Sequence, residues 1–228
     1  MFFFDIWYLI FLAPGLILAA WASYRVKSAY ADASRIPARG GVSGADAARV
    51  LLDRSGIPHG RVVPTQGFLS DHYVPGQALL RLSPAVYQGH SLAALGIAAH
   101  EAGHAFQDAK RYPLLVIRNG LVPLASIGSN MAWISLFIGL LLQMSGLVLA
   151  GVILFSLVVF FQVVNLPVEF DASRRAKLAL VEHQIVPKSE MGHVNKVLNA
   201  AALTYVAATL QAILTLAYYI LRYTQDRD

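Results

Sequence analysis

Four apolar stretches limit what this chain can fold into. Ile6–Tyr24, the two halves of Leu114–Leu166, and Ala200–Leu221 are each long enough to cross a bilayer, which takes about 20 apolar residues. The middle stretch breaks at Gln143-Met144-Ser145-Gly146, which predicts a tight hairpin between two spans. Hydrophobic residues make up 57% of the chain and charged residues 14%, against roughly 25% charged in soluble domains. The expected class is therefore a mainly α, integral membrane protein with about four transmembrane helices. The sequence divides accordingly into an anchor (1–24), a polar segment (25–113), a transmembrane hairpin (114–167), a second polar segment (168–199) and a fourth span with its tail (200–228). There is no cysteine, so disulfide and thiolate chemistry are excluded.

Charge asymmetry sets the expected topology. Only Asp5 is charged before Arg25, so the positive leader of a signal peptide is missing and an uncleaved anchor is expected. Lys and Arg concentrate in the two polar segments, the second holding Arg174, Arg175, Lys177, Lys188 and Lys196, while Arg222 and Arg227 mark the tail. Basic segments stay in the cytoplasm. Both polar segments are thus expected on the cytoplasmic side of the membrane, with the termini and the 143–146 turn outside. The basic balance suits a surface lying on anionic headgroups. The scatter of these charges and the lack of a binding motif argue against nucleic acid.

The first polar segment has its own order. Gly44–Gly56 predicts a short helix ending on glycine. Pro58 and Pro64 argue for extended chain over Ile57–Val63. Asp71–Gly76 reads as a turn and Gln77–Leu82 as a short strand, whose edge is placed to pair with an extended substrate. Ser83-Pro84 opens a turn or short helix, and a long helix follows from Ser91, a good N-cap, stopping before Pro113.

That helix carries His100-Glu101-Ala102-Gly103-His104. Residues four apart share one helix face, so the two imidazoles can reach one zinc ion. Glu101 lies beside the ion, positioned as the base that takes a proton from water. A catalytic zinc needs a third protein ligand. Glu169, one of four glutamates, is the candidate, lying just beyond the third span. Asn165 and Pro167 are expected to cap or restart a helix there, which would put Glu169 and Ser173 on one face and Asp171 on another. The competing role for Glu169 is a helix-start carboxylate favoured by the dipole. Glu182 and Glu190 are the fallback ligands. Candidates for a second oxyanion donor are His72, His183, His193, Arg174 and Arg175, whereas His59 and His90 read as loop residues.

Three strings carry a family resemblance: Asp71-His72-Tyr73 with Leu82-Ser83, Ser91–Gln107, and Leu166–Ala176. The chain resembles the YugP-like bacterial membrane zinc metallopeptidases over roughly Asp71–Ala176, and more distantly the HtpX and CAAX-prenyl protease families. The resemblance implies a zincin-like α+β catalytic portion of gluzincin type, with His100, His104 and Glu169 as ligands of one Zn2+ per chain and Glu101 as catalytic base. The candidates for a role behind the ligands or in holding the oxyanion are His72, Asp171, Ser173 and Arg174. In the distant families an acid stands four residues after the ligand glutamate, where it supports a ligand histidine; here that position is Ser173, and the nearby acid is Asp171.

These readings converge on an endopeptidase acting on membrane-proximal or unfolded protein segments, with a setting in membrane-protein quality control implied by the resemblance. Its partners are a peptide substrate and the bilayer; oligomeric state is open, since Gly128, Gly139 and Gly151 permit close helix packing within or between chains. A catalytically silent zinc-binding scaffold or chaperone partner is the alternative, and Glu101 argues against it. Haem or transport proteins leave histidines or charges at membrane depth, and the predicted spans hold no histidine.

Overall fold

A computed structural model describes residues 6–225; Asp5 and Arg227 lie outside them. In chain order the elements are α1 (Ile6–Ser34), α2 (Gly44–Arg54), β1 (Arg61–Pro64), β2 (His72–Val74), β3 (Leu79–Leu82), α3 (Pro84–Tyr87), α4 (Leu92–Ala109), α5 (Pro113–Leu141), α6 (Ser145–Glu182) and α7 (Met191–Gln225). The protein is mainly helical, with one small sheet. Four helices, α1, α5, α6 and α7, are long and apolar enough to cross a membrane.

The chain forms two compact units. One comprises the described residues through Ala22, Ile117–Pro167, and those from Thr204. Small residues govern its packing. A Cβ on Gly139 would lie 2.7 Å from the Val148 amide, and one on Gly151 2.6 Å from Leu136. These glycines therefore serve contacts within the chain, as expected where helices associate in lipid through close backbone approach. Gln143, at φ 55, turns the hairpin, and the Met144 N–H closes it on Gly139 O. The rings of Tyr8, Tyr218 and Tyr219 pack edge to face, with Tyr8 and Tyr218 at 5.0 Å.

The other unit, Ser23–Val116 and Val168–Leu203, holds the main core. In α2, Ser43 accepts from the Asp46 amide and Asp46 favours the helix N-terminus. The buried Ala45, Ala48, Leu51 and Leu52 pack with α4 and with Leu80 and Leu82 of the sheet. The sheet order is β1-β3-β2, with β1 parallel and β2 antiparallel to β3. Leu79, Leu80 and Leu82 of β3 are buried and Arg81 is exposed. Helix α4 is buried nearly all round, from Leu92 to Gln107. Its alanines Ala98, Ala99, Ala102 and Ala105 keep the helix slim where neighbours approach.

Four local expectations are corrected. Residues 72–74 form strand β2 rather than part of a turn, because His72, Tyr73 and Val74 pair with Arg81, Leu80 and Leu79; the turn itself covers residues 75–78, so the strand expected from Gln77 begins at Leu79. Only Arg61 onward is extended, since Gly60 N bonds Ile57 O in a turn. Strand β3 is central, so both of its edges are used and β1 and β2 form the outer edges. Helix α6 passes through Pro167 without restarting; α1 and α5 likewise contain Pro14 and Pro123, as is tolerated in membrane helices.

Ser91 caps α4 as anticipated, its hydroxyl accepting from the Ala94 amide at 3.2 Å. Ser91→Ala should cost about 1 kcal/mol. A lower thermal midpoint in detergent is expected, and an unchanged midpoint would show that the cap is dispensable.

Candidate metal centre

Every residue of the HEAGH motif and of the Val168–Asp171-Ser173 stretch belongs to the second unit. On α4, His100 and His104 lie one turn apart and meet edge to face, with ring centroids 4.9 Å apart and planes at 83°. On α6, Glu169 faces them and is 3% exposed. Its Oε2 lies 3.3 Å from His100 Nε2 and 3.5 Å from His104 Nε2. The three ligand atoms fall within 4.8 Å of one another.

The close approach has a steric basis. A Cβ on Gly103 would sit 2.4 Å from the Ala172 carbonyl oxygen, so α4 and α6 meet backbone to backbone at that point. A glycine between the two histidines is what lets the short Glu169 side chain reach both rings.

The donor set fits a tetrahedral cation. With bonds of about 2.0–2.1 Å, tetrahedral ligand atoms stand about 3.3–3.4 Å apart, matching the spacings between Glu169 and the rings. Glu169 Oε2 is buried with no hydrogen-bond partner among the described residues. Such an orphan is costly unless a cation takes its charge. The far side of each ring is already engaged: His100 Nδ1 lies 3.0 Å from Ser173 Oγ, and His104 Nδ1 3.0 Å from Gln107 Oε1. Both Nε2 atoms are left to face Glu169.

Glu101 is 7% exposed. Burial pushes its carboxyl up from the usual range; His100 and His104 pull it back less than burial pushes, and the charges of Glu169 and Asp71 add to the rise. Burial favours neutral His104, but the nearby carboxylates of Glu169 and Glu101 outweigh it and raise its pKa. Asp71 is raised by burial and accepts from the Ser83 amide and hydroxyl.

The remaining predicted residues fall into two groups. Ser173 stands behind His100, where the distant families carry an acid. Asp171 pairs with Arg174 and Arg175, and Arg175 also lies over the Tyr112 ring. Elsewhere, His72 is on the edge strand β2 with Nδ1 2.8 Å from Ser70 O. His59 and His90 are exposed loop residues, and His90 bonds Gly41 O. His183 lies just past α6, its carbonyl accepting from Arg54, and His193 is in the first turn of α7. Glu182 is exposed, and Glu190 pairs with Arg39 at 2.6 Å. The helix-start role for Glu169 is removed by the continuity of α6. Gln107 is the residue that reading the sequence missed: it is polar, fully buried and three positions after His104, a spacing that places it on the same helix face.

Residues 8–224 match a family described as "Putative neutral zinc metallopeptidase". The chain belongs to that family. It is similar to the "Putative membrane protease YugP" of Bacillus subtilis (strain 168), with 42% identity over 211 residues, covering 92% of this chain and 94% of that protein. No solved structure matches the chain. Membership of a zinc peptidase family together with the donor cluster implies zinc as the ion and a peptide as the substrate.

Gly103→Ala should force α4 and α6 apart. A loss of about 1–3 kcal/mol is expected from overpacking, together with loss of stoichiometric metal on dialysis against zinc. Retention of wild-type zinc content would show that this approach does not set the ligand spacing.

Proposed function

We propose that the protein is a zinc-dependent endopeptidase of gluzincin type, embedded in a bacterial inner membrane with its site on the cytoplasmic side. One observation carries the reading: a buried, unbonded carboxylate oxygen, Glu169 Oε2, converges with two imidazole nitrogens at 3.3 and 3.5 Å. His100, His104 and Glu169 would hold one zinc ion per chain. When bound, zinc supplies Lewis acidity, activating water and polarising a peptide carbonyl.

The other steps belong to side chains. Glu101 takes a proton from the attacking water at its carboxylate and returns it to the leaving amide nitrogen. Ser173 orients the His100 ring through Nδ1. Asp171, held by Arg174, acts behind the site rather than on the substrate. Residues 25–113 and 168–199 supply this machinery, 1–24 anchors the chain, and 114–167 with 200–228 cross the bilayer.

The cytoplasmic placement is supported by the basic residues of the two polar segments. Glu169 follows the apolar run of α6 by a few residues, which supports cleavage of membrane-proximal or unfolded segments, as in quality control of membrane proteins. Cutting of a model transmembrane helix at its centre by the purified protein would overturn that substrate class.

The test pairs metal content with turnover. Wild type and Glu101→Gln are purified in detergent, bound zinc is quantified, and casein or a quenched peptide is assayed with and without chelator. About one zinc per chain in both is expected, with activity in the wild type alone and a fall of at least about 10²-fold in the variant. Glu169→Ala should lose the metal. Zinc in both proteins with turnover in neither would favour the silent scaffold, and a zinc-free wild type sinks the reading.

A further inference from the structure

Gln107 is 0% exposed and makes three hydrogen bonds, in an arrangement that permits only one orientation of its amide. Nε2 lies 2.8 Å from the Val168 carbonyl oxygen and 3.0 Å from Asp171 Oδ2. A carbonyl and an ionised carboxylate can only accept, so this end must be the NH2 group. Flipping the amide would set its oxygen against two acceptors. The oxygen end therefore faces His104 Nδ1 at 3.0 Å, where it can only accept. His104 must then carry a proton on Nδ1, so the neutral, metal-binding form of the ring has its lone pair on Nε2, directed toward Glu169.

The same amide ties two elements together. Its donors bind α6 at Val168, the residue before Glu169, and at Asp171, two residues after it. Asp171 is fixed in turn by Arg174 and Arg175. One side chain on α4 thus sets the tautomer of one ligand and docks the backbone that presents another.

We infer that Gln107 is the positioning residue of the metal centre, fixing His104 in its metal-binding tautomer while holding the Glu169 segment of α6 in place. This rests on the zinc reading above. Nothing in the HExxH motif requires it: outer partners of metal ligands are commonly carboxylates or backbone carbonyls, whereas an amide can accept from the ligand and donate to the opposite helix at once.

The test uses the full chain in detergent. Zinc affinity is measured by competition with a chromophoric chelator for wild type, Gln107→Met and Gln107→Glu, and zinc-free thermal midpoints are recorded alongside. Gln107→Met fills the same space but loses all three bonds; its affinity should fall by about 10–100-fold. Gln107→Glu keeps an acceptor for His104 and loses both donors. It should bind zinc more tightly than Gln107→Met yet melt below wild type when zinc-free. Affinity of Gln107→Met within threefold of wild type overturns the inference. So does equal affinity of the two variants, or an unchanged zinc-free midpoint for Gln107→Glu, which remains decisive should Gln107→Met fail to fold. If wild type itself binds no zinc, the functional reading falls; if wild type binds and the variants bind alike, only the role of Gln107 falls.

Discussion

Two helix backbones in direct contact govern the second unit. At Gly103 the surface of α4 is bare backbone, and the Ala172 carbonyl of α6 occupies the space where a side chain would stand. Helices ordinarily pack with axes 8–10 Å apart, at a distance set by the side chains between them. Removing those side chains at one point lets the Glu169 carboxylate reach two imidazoles on the facing helix. The alanines along α4 extend the same economy to its other neighbours. The leucines of α2 and β3 then pack against α4 in the same core.

Burial at the site has an electrostatic cost. Glu101, His104, Gln107, Glu169 and Ser173 are all buried, and a carboxylate taken from water is strongly disfavoured unless paired. Two of these groups are carboxylates. The raised pKa of Glu101 expresses the strain on one side, and the orphan Oε2 of Glu169 expresses it on the other. A divalent cation relieves both at once. Polar groups that hold their shape without such an ion depend on packing elsewhere, which is the work of the α2–sheet–α4 core.

Much of this was legible in the sequence because it rests on periodicity and local chemistry. The four spans follow from apolar runs, the helical HEAGH segment from its alanines and the Ser91 cap, and the candidacy of Glu169 from the scarcity of glutamate. What escaped was non-local. Strand β2 depends on pairing with β3, which no property of Asp71–Gly76 announces. The passage of α6 through Pro167 defeats a rule drawn from soluble helices. Gln107 carries no local signal of its role, which exists only because Val168 and Asp171 of α6 lie opposite. Ser173 was legible as a departure from the distant families, and its place behind His100 gives that departure a physical meaning.

The partners behind the two imidazoles are a hydroxyl and an amide, both neutral. An anionic partner shifts electron density through the ring and makes the coordinating nitrogen a stronger base. Ser173 and Gln107 do this only weakly, so an ion held here keeps more of its positive charge. On the proposed reading, such a centre would trade grip for electrophilicity, releasing its metal to competing chelators more readily than a carboxylate-backed site and polarising a carbonyl more strongly.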